Sequence, residues 1–444
     1  VKFKHLAILS ALLLLMGIFM AACGSETETD AGEADTENEA EAPASEAPAE
    51  GKKPLEIFSW WTGAGEEAGL LALIELFEEK HPDVEVINAA VAGGAGTNAQ
   101  AVLASRMQGD DPPGTFQIHG GAALNTGWAA AGKMEPLNDL YEEQGWYDKF
   151  PEDLIELVTS DGDIYSVPVN IHRSNVLWYN VAIFEEHGLT PPTTFDEFFA
   201  VAEALQEAGV TPLALGDREP WTASHLLESV MLGKLGAEKY NQLWTGELKF
   251  DSLEFTDVME TFSQMLDYVN DDHAARNWQD ASQMVANGDA AMNVMGDWAA
   301  GYFATDLNLE PNKDFGWVAP PGTEGMFMVV TDTFGLPKGV EDPEVVKDFL
   351  RVLGSVEGQD VFNPLKGSIP ARVDADVSKY NEYGQQTIEE FKKSTLTPSL
   401  AHNSAAPAGF VQQFNQAVNI FVSSRNVDQF IQTVQAAQDE HINQ

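Results

Sequence analysis

Two adjacent tryptophans precede a glycine turn and a carboxylate in Ser59-Trp60-Trp61-Thr62-Gly63-Ala64-Gly65-Glu66. An indole face suits the C–H patch of a sugar ring, and a carboxylate suits its hydroxyls. Side chains alternate along a strand, so at most one of Trp60 and Trp61 belongs to a plain core, and the other points into a crevice. The same alternation puts Gln117 and His119 on one face where Phe116-Gln117-Ile118-His119 ends a strand. Trp278 and Trp298 flank a helical segment and could supply a facing aromatic wall, while Asp332 accepts and Lys366 donates hydrogen bonds. For each aromatic the competing reading is core packing, and for His119 it is a satisfied structural histidine.

Other chemistries find less support. Gly93-Gly94-Ala95-Gly96-Thr97 lacks the Lys-Ser/Thr of a phosphate loop and reads as a tight turn. The remaining histidines have no His-Glu-x-x-His spacing, and no Gly-x-Ser-x-Gly elbow occurs. One cysteine among 444 residues excludes an internal disulfide and a thiolate zinc cluster. Neither cofactor nor metal is expected. With 70 acidic and 24 basic side chains the formal charge is −46, which repels phosphate backbones and excludes nucleic acid as partner. Paired carboxylates for glycoside cleavage stay open, because their separation is a tertiary quantity.

The elements that must position these groups begin near Leu55. Strands are expected at Leu55–Trp60, Val84–Ala90 and Thr115–Ile118, with helices at Glu66–Lys80 and Asn98–Met107 between them. This is a βαβαβ half, whose strands end along one edge where open α/β sheets bind ligands. The middle, about 170–314, reads as mostly helical, with helix starts at Thr194-Phe195-Asp196-Glu197 and Asp280-Ala281 and short extended pieces such as Pro212–Leu215. A strand at Met326–Val330 and a helix at Asp342–Gly354 follow, and residues 379–444 read as helical. Two α/β lobes result, with crossings expected near Val167-Pro168-Val169, Pro320-Pro321-Gly322 and Gly367-Ser368-Ile369-Pro370.

Ahead of this body, Lys2 and Lys4 precede an apolar run from Leu6 to Ala22 that ends at Cys23, the layout of an export signal over residues 1–22. Met20-Ala21-Ala22-Cys23-Gly24-Ser25 resembles a bacterial lipoprotein box, which implies lipidation of Cys23. Residues 23–53 then form an expected acidic, disordered leash, without a large apolar residue from Ser25 to Glu50. Ten acids lie in that stretch, so 60 of the 70 belong to the body and make its surface strongly acidic.

Several blocks in order carry a resemblance: Ile57-Phe58-Ser59-Trp60-Trp61, Thr115-Phe116-Gln117-Ile118-His119, Val167-Pro168-Val169-Asn170-Ile171-His172-Arg173-Ser174-Asn175, Pro212-Leu213-Ala214-Leu215-Gly216, Met295-Gly296-Asp297-Trp298 and Phe362-Asn363-Pro364-Leu365-Lys366-Gly367-Ser368. From about Lys53 onward the chain resembles the family 1 bacterial extracellular solute-binding proteins that feed ATP-driven sugar importers, nearest the glucose, mannose or galactose group. The resemblance implies an α/β, two-lobed periplasmic-binding-protein-like (type II) fold with a multi-segment hinge. One lobe would comprise 54–168 plus 325–367, the other 169–324 plus 368–444. It places sugar contacts on Trp60 or Trp61, Glu66, Gln117, His119, Trp278, Trp298, Asp332, Lys366 and His402. It further implies a monomeric, non-enzymatic receptor, tethered by lipid to the outer face of the membrane. That receptor would deliver a monosaccharide, glucose before galactose or mannose, to ABC permease subunits. A secreted glycosidase and a surface carbohydrate adhesin are the alternatives.

Overall fold

The computed structural model describes residues 51–93 and 96–443. The expected signal peptide, Cys23 and nearly all of the acidic leash lie outside the described residues. Among those described, no helix is long and apolar enough to cross a membrane.

The βαβαβ half forms as its patterning requires. Strands Lys53–Phe58, Val84–Asn88 and Thr115–His119 are separated by helices Ala64–Lys80 and Thr97–Gln108. The first strand pairs in parallel with both others. Its Leu55 and Ile57 alternate inward, against Leu70, Leu73 and Phe77, which recur at helical spacing along the first helix. Asp332–Gly335 joins the far edge of this sheet antiparallel to Thr115–His119, and Ser166–Pro168 closes it. Helices Pro343–Leu353 and Val356–Lys366 complete the lobe, burying Phe349, Leu353 and Phe362 in the same core.

A second four-stranded sheet runs in the order Phe315–Val318, Leu177–Asn180, Ala290–Val294, Thr211–Ala214. Its strand Thr211–Ala214 overlaps the extended piece expected at Pro212–Leu215, but the sequence does not announce Leu177–Asn180 and Ala290–Val294, which are four or five residues long and wholly or nearly buried, with no polar–apolar alternation to betray them. The helix expected at Thr194 does start there, with a reciprocal Thr194–Glu197 capping box. The helix expected at Asp280-Ala281 starts earlier, at Trp278, because Asn277 is the cap and Asp280 its reciprocal partner. The carboxyl-terminal part carries a strand at Thr395–Pro398 besides its helices.

That strand belongs to a third sheet, ordered Ile369–Pro370, Asn170–Arg173, Met326–Val330, Thr395–Pro398, which joins the two lobes. Single residues separate it from the first sheet: Val169 between Pro168 and Asn170, and Thr331 between Val330 and Asp332. The crossing expected near 167–169 matches the passage of the chain through this sheet. Those expected at 367–370 and at Pro320-Pro321-Gly322 do not match: after Pro370 the chain returns to the first lobe, where Ala371 and Tyr380 join its core and Val373 N donates to Lys149 O, while Gly322 N donates to Thr193 O within the second lobe and the chain crosses at 326–332 instead.

Candidate functional site

A cavity of about 350 Å3 opens where the strand ends of the first lobe, the joining sheet and the second lobe meet. Six side chains around it come from the first lobe: Trp60, Thr62, Glu66, His119, Asp332 and Lys366. The facing wall consists of Arg218, Glu219, Trp221, Asn277, Trp278 and Trp298, while His172 and His402 come from and beside the joining strands.

Asp332 is the organising group. It is only 2% exposed, at the first residue of its strand and opposite His119 in the ladder. Gln117 Nε2 donates to its Oδ1 and Asn170 Nδ2 to its Oδ2, each at 2.7 Å, and its own backbone N donates to Asn170 Oδ1 at 2.8 Å. The imidazoles of His119 and His172 stand 3.4 and 3.5 Å from the two oxygens. Burial works to raise the acid's pKa, but these imidazoles and the Lys366 charge outweigh it, and the carboxyl sits well below the usual range. It is thus a fixed anion on the cavity wall.

Lys366 Nζ reaches Glu66 Oε1 at 2.6 Å. Backbone fit imposes the pair: a Cβ on Gly65 would lie 2.0 Å from Leu365 O, so only glycine lets the first helix seat Glu66 beside Lys366. Gly367, at φ +85, ends the lysine's helix, and Gly301 of the second lobe lies close against it: a Cβ on Gly301 would meet Lys366 O at 2.4 Å. This close approach sets Lys366 near the turn that carries Trp298.

The histidines are oriented by their partners. His119 Nδ1 faces the carbonyl of His402 at 2.9 Å; a carbonyl only accepts, so that nitrogen carries a proton. Ser399 Oγ donates to the Glu228 carboxylate, so His402 Nδ1, 2.8 Å away, must donate to the serine. His402 Nε2 is left as an acceptor. Burial, reinforced by the nearby imidazoles, holds His402 well below its ordinary pKa, so it is neutral. Burial also works to lower His172, but Asp297, which bonds His172 Nδ1 and the Arg173 backbone N, wins and raises it.

Trp298 packs on His402 with ring centroids 4.9 Å apart and makes edge contacts with His172 and Trp221. Trp60 meets His119 edge-on at 5.1 Å. Indoles therefore flank the cavity from both lobes.

Of the residues proposed from sequence, Trp60, Glu66, His119, Trp278, Trp298, Asp332, Lys366 and His402 come together here. Trp61 and Gln117 do not line the cavity. Trp61 faces inward between Phe334 and Phe362 and is fully buried, although the pair lies beyond the strand, which ends at Phe58. Gln117 lies beneath the surface, where its Oε1 accepts from Trp60 N while its amide holds Asp332. His172, Arg218, Glu219, Trp221 and Asn277 were missed. Trp221 could have been found, since Glu219-Pro220 signals a helix start and puts Trp221 in the first turn.

His225, Glu228 and His402 also approach one another, with ligand-type atoms within 4.8 Å. Glu228, however, already accepts from Ser174 Oγ, Ser399 Oγ, Leu400 N and Ala401 N, so its buried charge is satisfied by protein donors rather than by a cation.

Residues 60–360 match the family described as bacterial extracellular solute-binding protein. An ABC transporter extracellular-binding protein of Pyrococcus horikoshii is 39% identical over 378 residues, 84% of this chain and 85% of that one. A xylose/arabinose-binding protein of Haloferax volcanii is 30% identical over 79% of this chain and 77% of its own length. Among solved structures, a chitin oligosaccharide binding protein superposes with a TM-score of 0.79 at 21% identity, over 88% of this chain and all of that one. The fold is thus the two-lobed α/β architecture of periplasmic binding proteins, and the chain belongs to the bacterial extracellular solute-binding proteins, transport receptors working outside the cytoplasmic membrane and not enzymes.

Proposed function

We propose that this receptor, the sugar-binding component of an ABC transporter, takes a single hexopyranose, glucose before galactose or mannose. The observation that carries this reading is the cavity of about 350 Å3 with indoles from both lobes beside Asp332 and the Glu66–Lys366 pair. That volume lies near the lower end of small-molecule sites, which favours one ring over a long chain. Trp60 and Trp298 offer faces to the ring, Asp332 and Glu66 accept hydroxyl protons, and Lys366, His119 and His402 give directional bonds. Gln117 acts by holding Asp332 and Trp60 in place.

Sugar closes the lobes by binding the closed form more tightly than the open one, and the closed form is what permease subunits engage. The proposal includes removal of residues 1–22, a lipid on Cys23 and a tether to residue 53. It also includes a monomeric body whose lobes divide near 168 and 325. Calorimetry against glucose, galactose, mannose, xylose and arabinose tests the ligand, with micromolar binding expected, about −8 kcal/mol. The reading fails if no hexose gives heat, or if Trp298→Ala and Asp332→Ala both bind as the parent does. For the anchor, Cys23→Ala should move the protein from the membrane to the soluble fraction.

A further inference from the structure

Behind the row of rings Trp60, His119, His402 and Trp221 lies a second, larger cavity of about 600 Å3. Those four rings belong to the linings of both cavities. Consecutive members of the row are in edge contact, Trp60 with His119 at 5.1 Å, His119 with His402 at 5.5 Å and His402 with Trp221 at 5.4 Å. The two end members come one from each lobe, so the shared wall is built by both.

The chemistry of the two spaces differs. The first is lined by Glu66, Asp332, Lys366, Arg218 and Glu219 besides its rings. In the second no Asp, Glu, Lys or Arg appears among the described lining residues, although the chain carries 70 acids and 24 bases. Its apolar walls are Leu103, Ile118 and Trp128 with several alanines from the first lobe, and Val411 with further alanines from the second, interspersed with the uncharged polar side chains of Thr97, Gln100, Gln117, Asn403, Gln412 and Asn415. Among the described residues, two buried polar atoms of the lining side chains lack partners: the donor Trp221 Nε1 and the acceptor Asn415 Oδ1. An uncharged, mainly apolar space beside a hydroxyl-binding one gains by apolar burial and has nothing to offer an ionic group.

We propose that this second cavity receives the apolar aglycone of a glycoside whose sugar ring occupies the first, so that aryl and alkyl glycosides belong to the receptor's ligand class. The glycosidic oxygen then lies at the row of rings that the two cavities share. This rests on the sugar reading above, and glucose serves as its internal control.

The test is calorimetry of the whole mature protein with glucose, phenyl and octyl glucosides of both anomers, cellobiose and maltose. It is repeated on Ala104→Trp and Ala408→Trp, which fill the second cavity from opposite lobes and whose folding is checked by thermal melting. One glucoside anomer should bind at least tenfold more tightly than glucose. Either filling variant should abolish that gain while leaving glucose affinity within twofold. The proposal is overturned if no glucoside exceeds glucose, if the gain survives filling in both variants, or if a disaccharide gains more than the phenyl and octyl glucosides. Absence of glucose binding in the parent would overturn the sugar reading as well, and so is distinguishable from a failure of the aglycone site alone.

Discussion

Replacing Asp332 by Asn keeps the shape of the side chain but turns one acceptor oxygen into a donor. Both oxygens already receive amide donors at 2.7 Å, from Gln117 and Asn170. Whichever position takes the NH2 group faces N–H with N–H. One charge-assisted bond is lost and one buried donor is stranded, together about 3–5 kcal/mol of folding stability. Relief by flipping Gln117 would release Trp60, whose backbone N it holds at 3.1 Å, so stability recovered in this way is lost again in the site. Sugar affinity should therefore fall at least 100-fold, about 2.7 kcal/mol. The pH dependence has a definite sign. A carboxyl held well below its ordinary value of 3.8 contributes stability that is complete above that value and is lost as pH falls through the folded pKa. Parent and Asp332→Asn should thus differ fully at neutral pH and converge in strong acid. Urea unfolding at several pH values, with calorimetry at pH 7, measures both effects. A variant within 1 kcal/mol of the parent at pH 7 that still binds sugar within threefold would refute the reasoning.

Trp61→Leu should cost about 2–4 kcal/mol of stability and leave sugar affinity unchanged, whereas Trp60→Leu should do the reverse, weakening binding tenfold or more; melts and calorimetry on both separate core from site. Lys366→Met strands the Glu66 carboxylate and should destabilise by about 2 kcal/mol, as well as weakening sugar binding, in the same two assays. In proton NMR, His402 should show no titration between pH 8 and 6, and His172 should titrate above 6.5. By linkage, the His172 contribution to stability is complete below about 6.5 and is lost as pH rises through its folded value, while exclusion of a proton from His402 costs stability as pH falls below about 6.5. A shared midpoint for the two rings would contradict the proton assignments.

Local pattern carried the βαβαβ half well because each of its elements announces itself over several residues, whereas Asp332–Gly335, Ser166–Pro168 and Val356–Lys366 of the same lobe were not legible. The helix ending at Lys80 has its apolar stripe, and Pro112-Pro113-Gly114 announces the strand after it. Buried strands such as Ala290–Val294 have no exposed side to set a period, so their type was not visible. In the site, strand alternation said that one of Trp60 and Trp61 is core, but not which. The answer depends on Phe334 and Phe362, far along the chain. Gln117 shares a strand face with His119 yet is capped by Asp332 from a neighbouring strand, an arrangement no spacing within Thr115–His119 encodes. His172 stood among the histidines set aside for lacking metal spacing, and only the third sheet brings it to Asp332.

The joints Val169 and Thr331 lie side by side and are bonded to each other's neighbours: Val169 N donates to Asp332 O, and Thr331 Oγ1 donates to Asn170 O at 2.7 Å. A bend in one crossing chain is therefore transmitted to the other, and Asp332 sits at the fulcrum itself. Groups near a pivot have short lever arms. In the closure proposed above, the aspartate and its amide braces would move least, while Trp278, on a helix of the second lobe, would move with that lobe. A ligand can thus dock first on a stationary anion and afterwards be covered, which splits capture into a fast contact and a slower wrapping step that stopped-flow fluorescence can resolve.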